Sequence, residues 1–214
     1  MKKIFLILIV AFFSGLTIYG AASGRESSGR SSSKKTTKSR TKTTTPKSSS
    51  SKSSNLNGHE AVNLGLSVKW AKCNLGASSP FERGEFYRWS DQGDTARKLW
   101  GGTWRTPNYN EVMELYRYCR WEWKKCTYSD DRYKYCSYGY LITGPNGNSI
   151  FLPANGRKYY SDSINLVEEG FYWTSCYVME MGIKKPTVLS FSSSRVYFPN
   201  YENIYGMGIR PVTN

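Results

Sequence analysis

One histidine, His59, stands in a chain of 214 residues. A Cys–His or Ser–His nucleophilic engine would have to be built on it. It lies at the margin of a polar stretch, where a solvent-facing side chain is the expected reading. Metal-ligand spacing is missing, since there is no Cys-x-x-Cys and no second histidine. No metal and no cofactor are therefore expected. The acidic pairs Asp130–Asp131 and Glu168–Glu169 fall in polar segments and read as solvated rather than catalytic. No glycine-rich phosphate loop and no nucleic-acid motif occurs, so no specific nucleic-acid partner is expected.

The five cysteines carry a different chemistry. Cys126 and Cys136 flank the polar segment 127–135, and a bridge between them would staple a hairpin with about 2–3 kcal/mol. Cys73 and Cys119 form a second candidate disulfide, joining the first strand region to a helix. Cys176 is then left over. The alternative for all five is the role of small buried hydrophobes. Tyrosine supplies rigid contact area with a polar tip. Tyr128, Tyr133, Tyr135, Tyr138 and Tyr140 crowd one segment, and Tyr197, Tyr201 and Tyr205 another.

These residues sit in the last of three compositional zones. Residues 1–22 place Lys2 and Lys3 ahead of an apolar run and end on Gly20-Ala21-Ala22, as a secretory signal peptide does. An uncleaved membrane anchor is the alternative, and would be the chain's sole contact with a bilayer. Residues 23–57 are a Ser/Thr/Lys-rich tail with nine basic side chains against the single Glu26. With Leu56 as its one large apolar residue, the tail reads as a disordered basic linker. Its ends would lie on the order of 30 Å apart. It is expected to act as a spacer that also meets anionic envelope surfaces. Residues 58–214 form the folded domain and keep only +4 of the total charge of +14. The expected location is secreted, periplasmic or at the cell surface.

Within the domain, Val62, Leu64, Leu66, Val68 and Trp70 share one parity, which is strand periodicity with Gly65 as a bulge or bend. After Thr106-Pro107, Asn108 and Glu111 make a capping-box pair. Val112, Leu115, Tyr116 and Cys119 then recur at helical spacing. Tyr138 to Thr143 turns through Pro145-Asn146-Gly147 and returns to Pro153. Residues 154–169 read as a long loop. Residues 171–177 read as a buried strand, 187–191 with 195–198 as a hairpin, and 204–212 as the last strand. The fold class expected is α+β, dominated by antiparallel sheet with one or two helices and long loops.

Five blocks bear on family. They are Gly65 to Ala77; Trp100-Gly101-Gly102-Thr103-Trp104-Arg105-Thr106-Pro107; Gly144 to Pro153; Gly170-Phe171-Tyr172-Trp173-Thr174-Ser175; and Tyr205 to Val212. In this order the set resembles the Fibrobacter succinogenes major paralogous domain, a family of secreted proteins of Bacteroidetes and their relatives. The resemblance covers essentially all of residues 59–212. It implies a C-type-lectin-like fold, related to formylglycine-generating enzymes, with core roles for Trp70, Trp104 and Trp173. Arg105 and Arg210 are expected as buried or half-buried donors to loop carbonyls, and Gly206 and Gly208 as close-packing positions. The calcium-site motifs Glu-Pro-Asn and Trp-Asn-Asp of sugar-binding relatives are absent. Cys176 has no partner in sequence for formylglycine-generating chemistry.

By analogy with that fold, the ligand face implied is Arg195, Tyr197, Tyr201, Asn203 and Tyr205. Cross-strand aromatic pairing is the alternative. Asp94-Thr95-Ala96 and Asp162-Ser163-Ile164 match the short O-glycosylation motif of Bacteroidetes, which makes Thr95 and Ser163 candidate acceptors on loops. The expected function is a non-enzymatic binding or adhesion module for a glycan or protein ligand. The alternatives are a structural envelope or pilus component and, less favoured, a formylglycine-generating-type enzyme.

Overall fold

The computed structural model describes residues 54–126, 136–160, 162–164 and 168–214, with the backbone alone for 162–164. The first strand, β1 (Ser54–Leu56), turns through Asn57-Gly58 into β2 (His59–Asn63). Both turn residues have positive φ, 50° and 79°, which is the two-residue hairpin that Asn-Gly favours. Leu56 packs on a small cluster of Ala61, Ala71 and Trp104. Composition had drawn the edge of the tail at residues 57/58, inside this hairpin. One leucine and one Asn-Gly turn suffice to pair the last residues of a polar stretch.

The alternating run 60–70 is two strands rather than one. β2 pairs antiparallel with β3 (Lys69–Ala71), and the chain bends between them at Gly65, φ 79°. The bend is seated against the turn 144–148. Asn146 Nδ2 and Asn148 Nδ2 both donate to the carbonyl of Asn63, at 2.9 and 2.7 Å. A Cβ on Gly144 would lie 2.0 Å from the carbonyl oxygen of Leu64, so this approach requires glycine.

Helix α2 (Tyr109–Tyr118) forms as its sequence dictates. Asn108 accepts from the Glu111 amide, and the Glu111 carboxylate accepts in return from the Asn108 amide. Val112 and Leu115 are buried, while Tyr116 stays on the surface. A shorter helix, α1 (Thr95–Trp100), is capped by Asp94 and ended by Gly101. Arg120, directly after the C-cap Cys119, opens strand β5 (Arg120–Lys125). β5 continues into the antiparallel meander of β6 (Tyr138–Thr143) and β7 (Ser149–Pro153).

The segment 154–169, expected as a loop, contains β8 (Arg157–Tyr159) and β9 (Asp162–Ile164). These strands join β4 (Tyr87–Arg88) and β13 (Tyr205–Met207) in one sheet of order β4-β13-β8-β9. The expected last strand 204–212 is likewise broken into β13 and β14 (Val212–Thr213), which serve different sheets. β14 closes the sheet β1-β2-β3-β14, so the first and last described strands share one sheet. The remaining sheet is the hairpin ladder β10 (Gly170–Glu180), β11 (Ile183–Ser192) and β12 (Arg195–Tyr197).

The fold is thus α+β and dominated by antiparallel sheet, with two helices among the described residues. Trp70, Trp104 and Trp173 are fully buried core residues. The largest cluster joins Leu64, Trp70, Val112, Leu115, Ile142, Leu152 and Phe191, which ties α2 to three sheets. Gly208 meets the expectation of close packing, since a Cβ there would stand 2.2 Å from Asn155 Nδ2.

Candidate functional site

Strand β10 changes character midway. Gly170 to Thr174 are buried, and from Ser175 onward the strand is largely exposed. The cause is a register break against β11 between Trp173 and Tyr177. Thr174 stabilises it, because its hydroxyl donates to the Thr187 carbonyl at 2.9 Å and accepts from the Cys176 amide at 3.2 Å. The Ser175 amide is taken by the carbonyl of Pro107 just ahead of α2, at 2.8 Å. Tyr177 emerges beyond the break with a cleft on either side.

The first cleft, about 310 Å³, is lined by Arg88, Trp89, Asp91, Thr95, Tyr177 and Lys184 among others. The Trp89 indole is fixed by donating to the Thr174 carbonyl at 3.0 Å, and its ring meets Tyr177 edge-on at 5.6 Å. Lys184 Nζ stands 5.0 Å from the centre of the Tyr177 ring and 2.9 Å from Asp91 Oδ2. The hydrogen bond from Lys184 holds the Asp91 carboxyl below its ordinary range, and Asp91 raises Lys184 in turn. Both stay charged at neutral pH. The second cleft, about 670 Å³, is bounded by Asn108, Tyr109, Tyr177, Val178, Phe198 and Asn200. Tyr109 meets Phe198 edge-on at 5.8 Å, and Thr187 Oγ1 donates to Asn200 Oδ1 at 2.9 Å. Aromatic faces beside fixed amides and ions suit a polar ligand with apolar faces.

The residues implied by the family analogy do not line these clefts. Tyr201 and Tyr205 turn inward, edge-on to each other at 5.6 Å. Both rings face the guanidinium of Arg157 at 4.8 Å, and Phe171 completes the box at 4.7 Å. Arg157 Nε and Nη1 are buried within it and have no hydrogen-bond partner among the described residues. The aromatic faces of Tyr201 and Tyr205 are therefore engaged in holding an internal cation. Arg195 covers the ring of Tyr197 at 4.4 Å on the exposed strand β12, and Asn203 lies on the surface. Cross-strand aromatic pairing, the alternative, occurs at Tyr205, which stands opposite Tyr159 of β8 with ring centroids 5.4 Å apart, whereas Tyr201 lies outside the strands.

The remaining sequence candidates divide as well. Cys126 and Cys136 are brought together, sulfur to sulfur at 2.8 Å, where β5 and β6 leave segment 127–135. Cys73 and Cys119 are not. Cys73 sits beyond β3 near Arg210 and Lys72, whereas Cys119 ends α2 and packs on the largest core cluster. All five cysteines are thiols. Cys176 accepts the Tyr109 amide at 3.4 Å through its sulfur. Thr95 is not on a loop but is the first residue of α1, and Ser163 is in β9 opposite Lys158. Asp130 and Asp131, with the tyrosines 128, 133 and 135, lie outside the described residues.

His59 is half-buried rather than fully solvent-facing. Its ring is stacked on Trp100 with centroids 3.7 Å apart and meets Trp104 edge-on. This burial lowers its pKa. The folded chain therefore resists protonation at His59. The associated stability is complete above the unfolded value of about 6.5 and is lost as pH falls from there through the folded value. We expect thermal midpoints to drop between pH 7.5 and pH 5, and a His59→Phe variant to show a shallower drop.

Arg105 pairs bidentately with Glu111 of the capping box, so it anchors the start of α2 more than it serves loop carbonyls. Arg210 does serve carbonyls, as expected. No group of three His, Cys, Asp or Glu side chains fit to hold a metal occurs among the described residues. Compared with protein-family models, with curated proteins and with solved structures, the chain finds no match in any of the three.

Trp89, Asp91, Tyr109, Tyr177 and Lys184 were not singled out in the sequence. Tyr177 was hidden at the end of a run read as one buried strand. The available signal was the polar pair Ser175-Cys176 interrupting an aromatic run, which is how a bulge announces itself.

Proposed function

We propose that this chain is exported and that its folded part is a non-enzymatic recognition module for an oligosaccharide. The apolar leader behind Lys2 and Lys3 supports export. The five sequence blocks, together with a sheet-dominated α+β fold, support membership of the Fibrobacter succinogenes major paralogous type with a C-type-lectin-like architecture. The observation that carries the reading is the pair of clefts sharing Tyr177. Each combines an aromatic face with hydrogen-bonding groups already fixed by the protein. Sugar rings ask for that combination, an apolar face for stacking and fixed polar partners for the hydroxyls.

The ligand face moves accordingly, from Tyr201 and Tyr205 to the ground between β4, α2 and the β10–β11 hairpin. The tail 23–57 would keep the module at a distance from its attachment and near anionic envelope surfaces. A glycan array probed with the full chain tests the reading. Binding above background should fall at least tenfold in Tyr177→Ala, with the denaturation midpoint unchanged. Binding that survives this change but is lost in Tyr197→Ala would return the site to β12. No binding to any glycan would end the proposal.

A further inference from the structure

The outer half of the β10–β11 hairpin carries exposed apolar side chains on both faces, with one charged residue in each of its last three rungs. Its rungs pair Tyr177 with Pro186, Val178 with Lys185, Met179 with Lys184 and Glu180 with Ile183. Met181 and Gly182 close the turn. Met179 is 59% exposed, Ile183 56% and Met181 96%. Side chains of this kind scattered singly need no explanation, but here they converge on one protruding tip.

Backbone conformation adds an independent observation. The turn needs two left-handed residues, with φ 50° at Met181 and 78° at Gly182. Asn or Gly fits the first position best, and an unbranched apolar side chain there is held against its preference. A methionine thus stands at a position that strains the turn, with its side chain turned to solvent.

We propose that this hairpin tip docks into the interfacial layer of an anionic lipid bilayer. A flat protein partner would meet one face of the ribbon, whereas lipid surrounds a convex tip and takes up both. Three residues of strand rise carry the tip roughly 10 Å past the Tyr177 rung. That matches the roughly 5–10 Å to which interfacial elements sink. Tyr177 then lies at headgroup level, where amphipathic rings are favoured. Lys184 and Lys185 form a collar just behind the apolar tip, with stems able to lie along it. Asp91, the partner of Lys184 at 2.9 Å, is exposed, so a lipid phosphate can take its place at little cost. Glu180 reaches back to Lys185, away from the apex. The basic tail adds attraction toward the same surface. The proposal does not rest on the oligosaccharide reading.

Methionine oxidation reads the tip directly and separately from any anchoring by residues 1–22. The full chain would be treated with dilute peroxide, with and without phosphatidylglycerol/phosphatidylethanolamine vesicles. Sulfoxide would be mapped by mass spectrometry, with buried Met207 as the internal control. We expect vesicles to slow oxidation of Met181 and Met179 at least fivefold. In Met181→Asn, the protection of Met179 should fall while the denaturation midpoint holds or rises. An unchanged oxidation rate at Met181 overturns the proposal, whether or not the chain sediments with the vesicles. Protection by an envelope protein extract and not by vesicles overturns it also, and assigns the tip to a protein partner.

Discussion

An Arg210→Met variant is expected to lose about 3 kcal/mol of unfolding free energy. Arg210 is 1% exposed and sits where the final segment of the chain crosses the core. Its Nε donates to Asn74 Oδ1 at 2.8 Å. Nη1 donates to the carbonyls of Ala71 and Lys72 at 3.1 and 2.9 Å, and Nη2 to that of Phe151 at 2.8 Å. One planar fork thus ties the end of β3 and the middle of β7 to the run into β14. All four acceptors are neutral oxygens, and burial lowers the pKa of the guanidinium.

Methionine keeps much of the apolar volume but leaves those oxygens without a donor. Each buried orphan costs about 1–3 kcal/mol, partly offset because a cation no longer has to be desolvated. Asn74 would lose its orientation as well, and it also donates to the Arg83 carbonyl and the Tyr172 hydroxyl, at 2.8 and 3.1 Å. Lysine should not rescue, since one ammonium cannot reach four acceptors spread over residues 71–74 and Phe151. Guanidinium denaturation measures the loss. A variant as stable as the parent would show that the fork is dispensable.

Oxidising the Cys126–Cys136 pair is expected to raise stability by about 2–3 kcal/mol, the loop-closure value for a ring of roughly ten residues. The sulfurs are already 2.8 Å apart, so little backbone movement is needed. The hydrogen bond from Cys136 lowers the pKa of Cys126, and Arg83 acts in the same direction. Cys136 is pushed up by the same bond and by burial. The thiolate that forms within this pair attacks its neighbour, with an oxidant accepting two electrons as the two protons leave. Denaturation midpoints with and without dithiothreitol should differ by this amount, and Cys136→Ser should abolish the difference. Equal midpoints in the parent would mean the bridge does not form.

Local signals in the sequence were followed closely by the fold. Asn108 and Glu111 start a helix, Pro145-Asn146-Gly147 turns a hairpin, and the three motif tryptophans are core. The elements that escaped are those whose partners are distant. β4, β8 and β13 are two or three residues long and exist through the pairing of β13 with distant partners, Gly206 opposite Arg88 and Tyr205 opposite Tyr159. The bend that Gly65 signals within residues 60–70 is present, and it is stabilised from far along the chain by Asn146 and Asn148, which donate to the Asn63 carbonyl.

The site was less legible than the fold. Tyrosine density pointed to residues 197–205, but two of those rings hold Arg157, itself in a segment expected to be loop. The clefts are made from Trp89, Tyr109, Tyr177 and Lys184, four residues on separate elements with no spacing in common. What joins them is a strand bulge stabilised by Thr174, a tertiary feature with only a faint trace in the sequence.

The central claim is that the ground around Tyr177 is a binding face. The Trp89 indole N–H, fixed to the Thr174 carbonyl, is a reporter within the first cleft, and the buried Trp104 indole N–H, donated to the Leu56 carbonyl, is a reporter remote from it. Their proton resonances would be followed by NMR as a panel of neutral and acidic oligosaccharides is titrated in. The account predicts that at least one member shifts Trp89 saturably and leaves Trp104 in place, and that Tyr177→Ala removes the response. Saturable binding with Trp89 unmoved, or no response to any oligosaccharide, would contradict it.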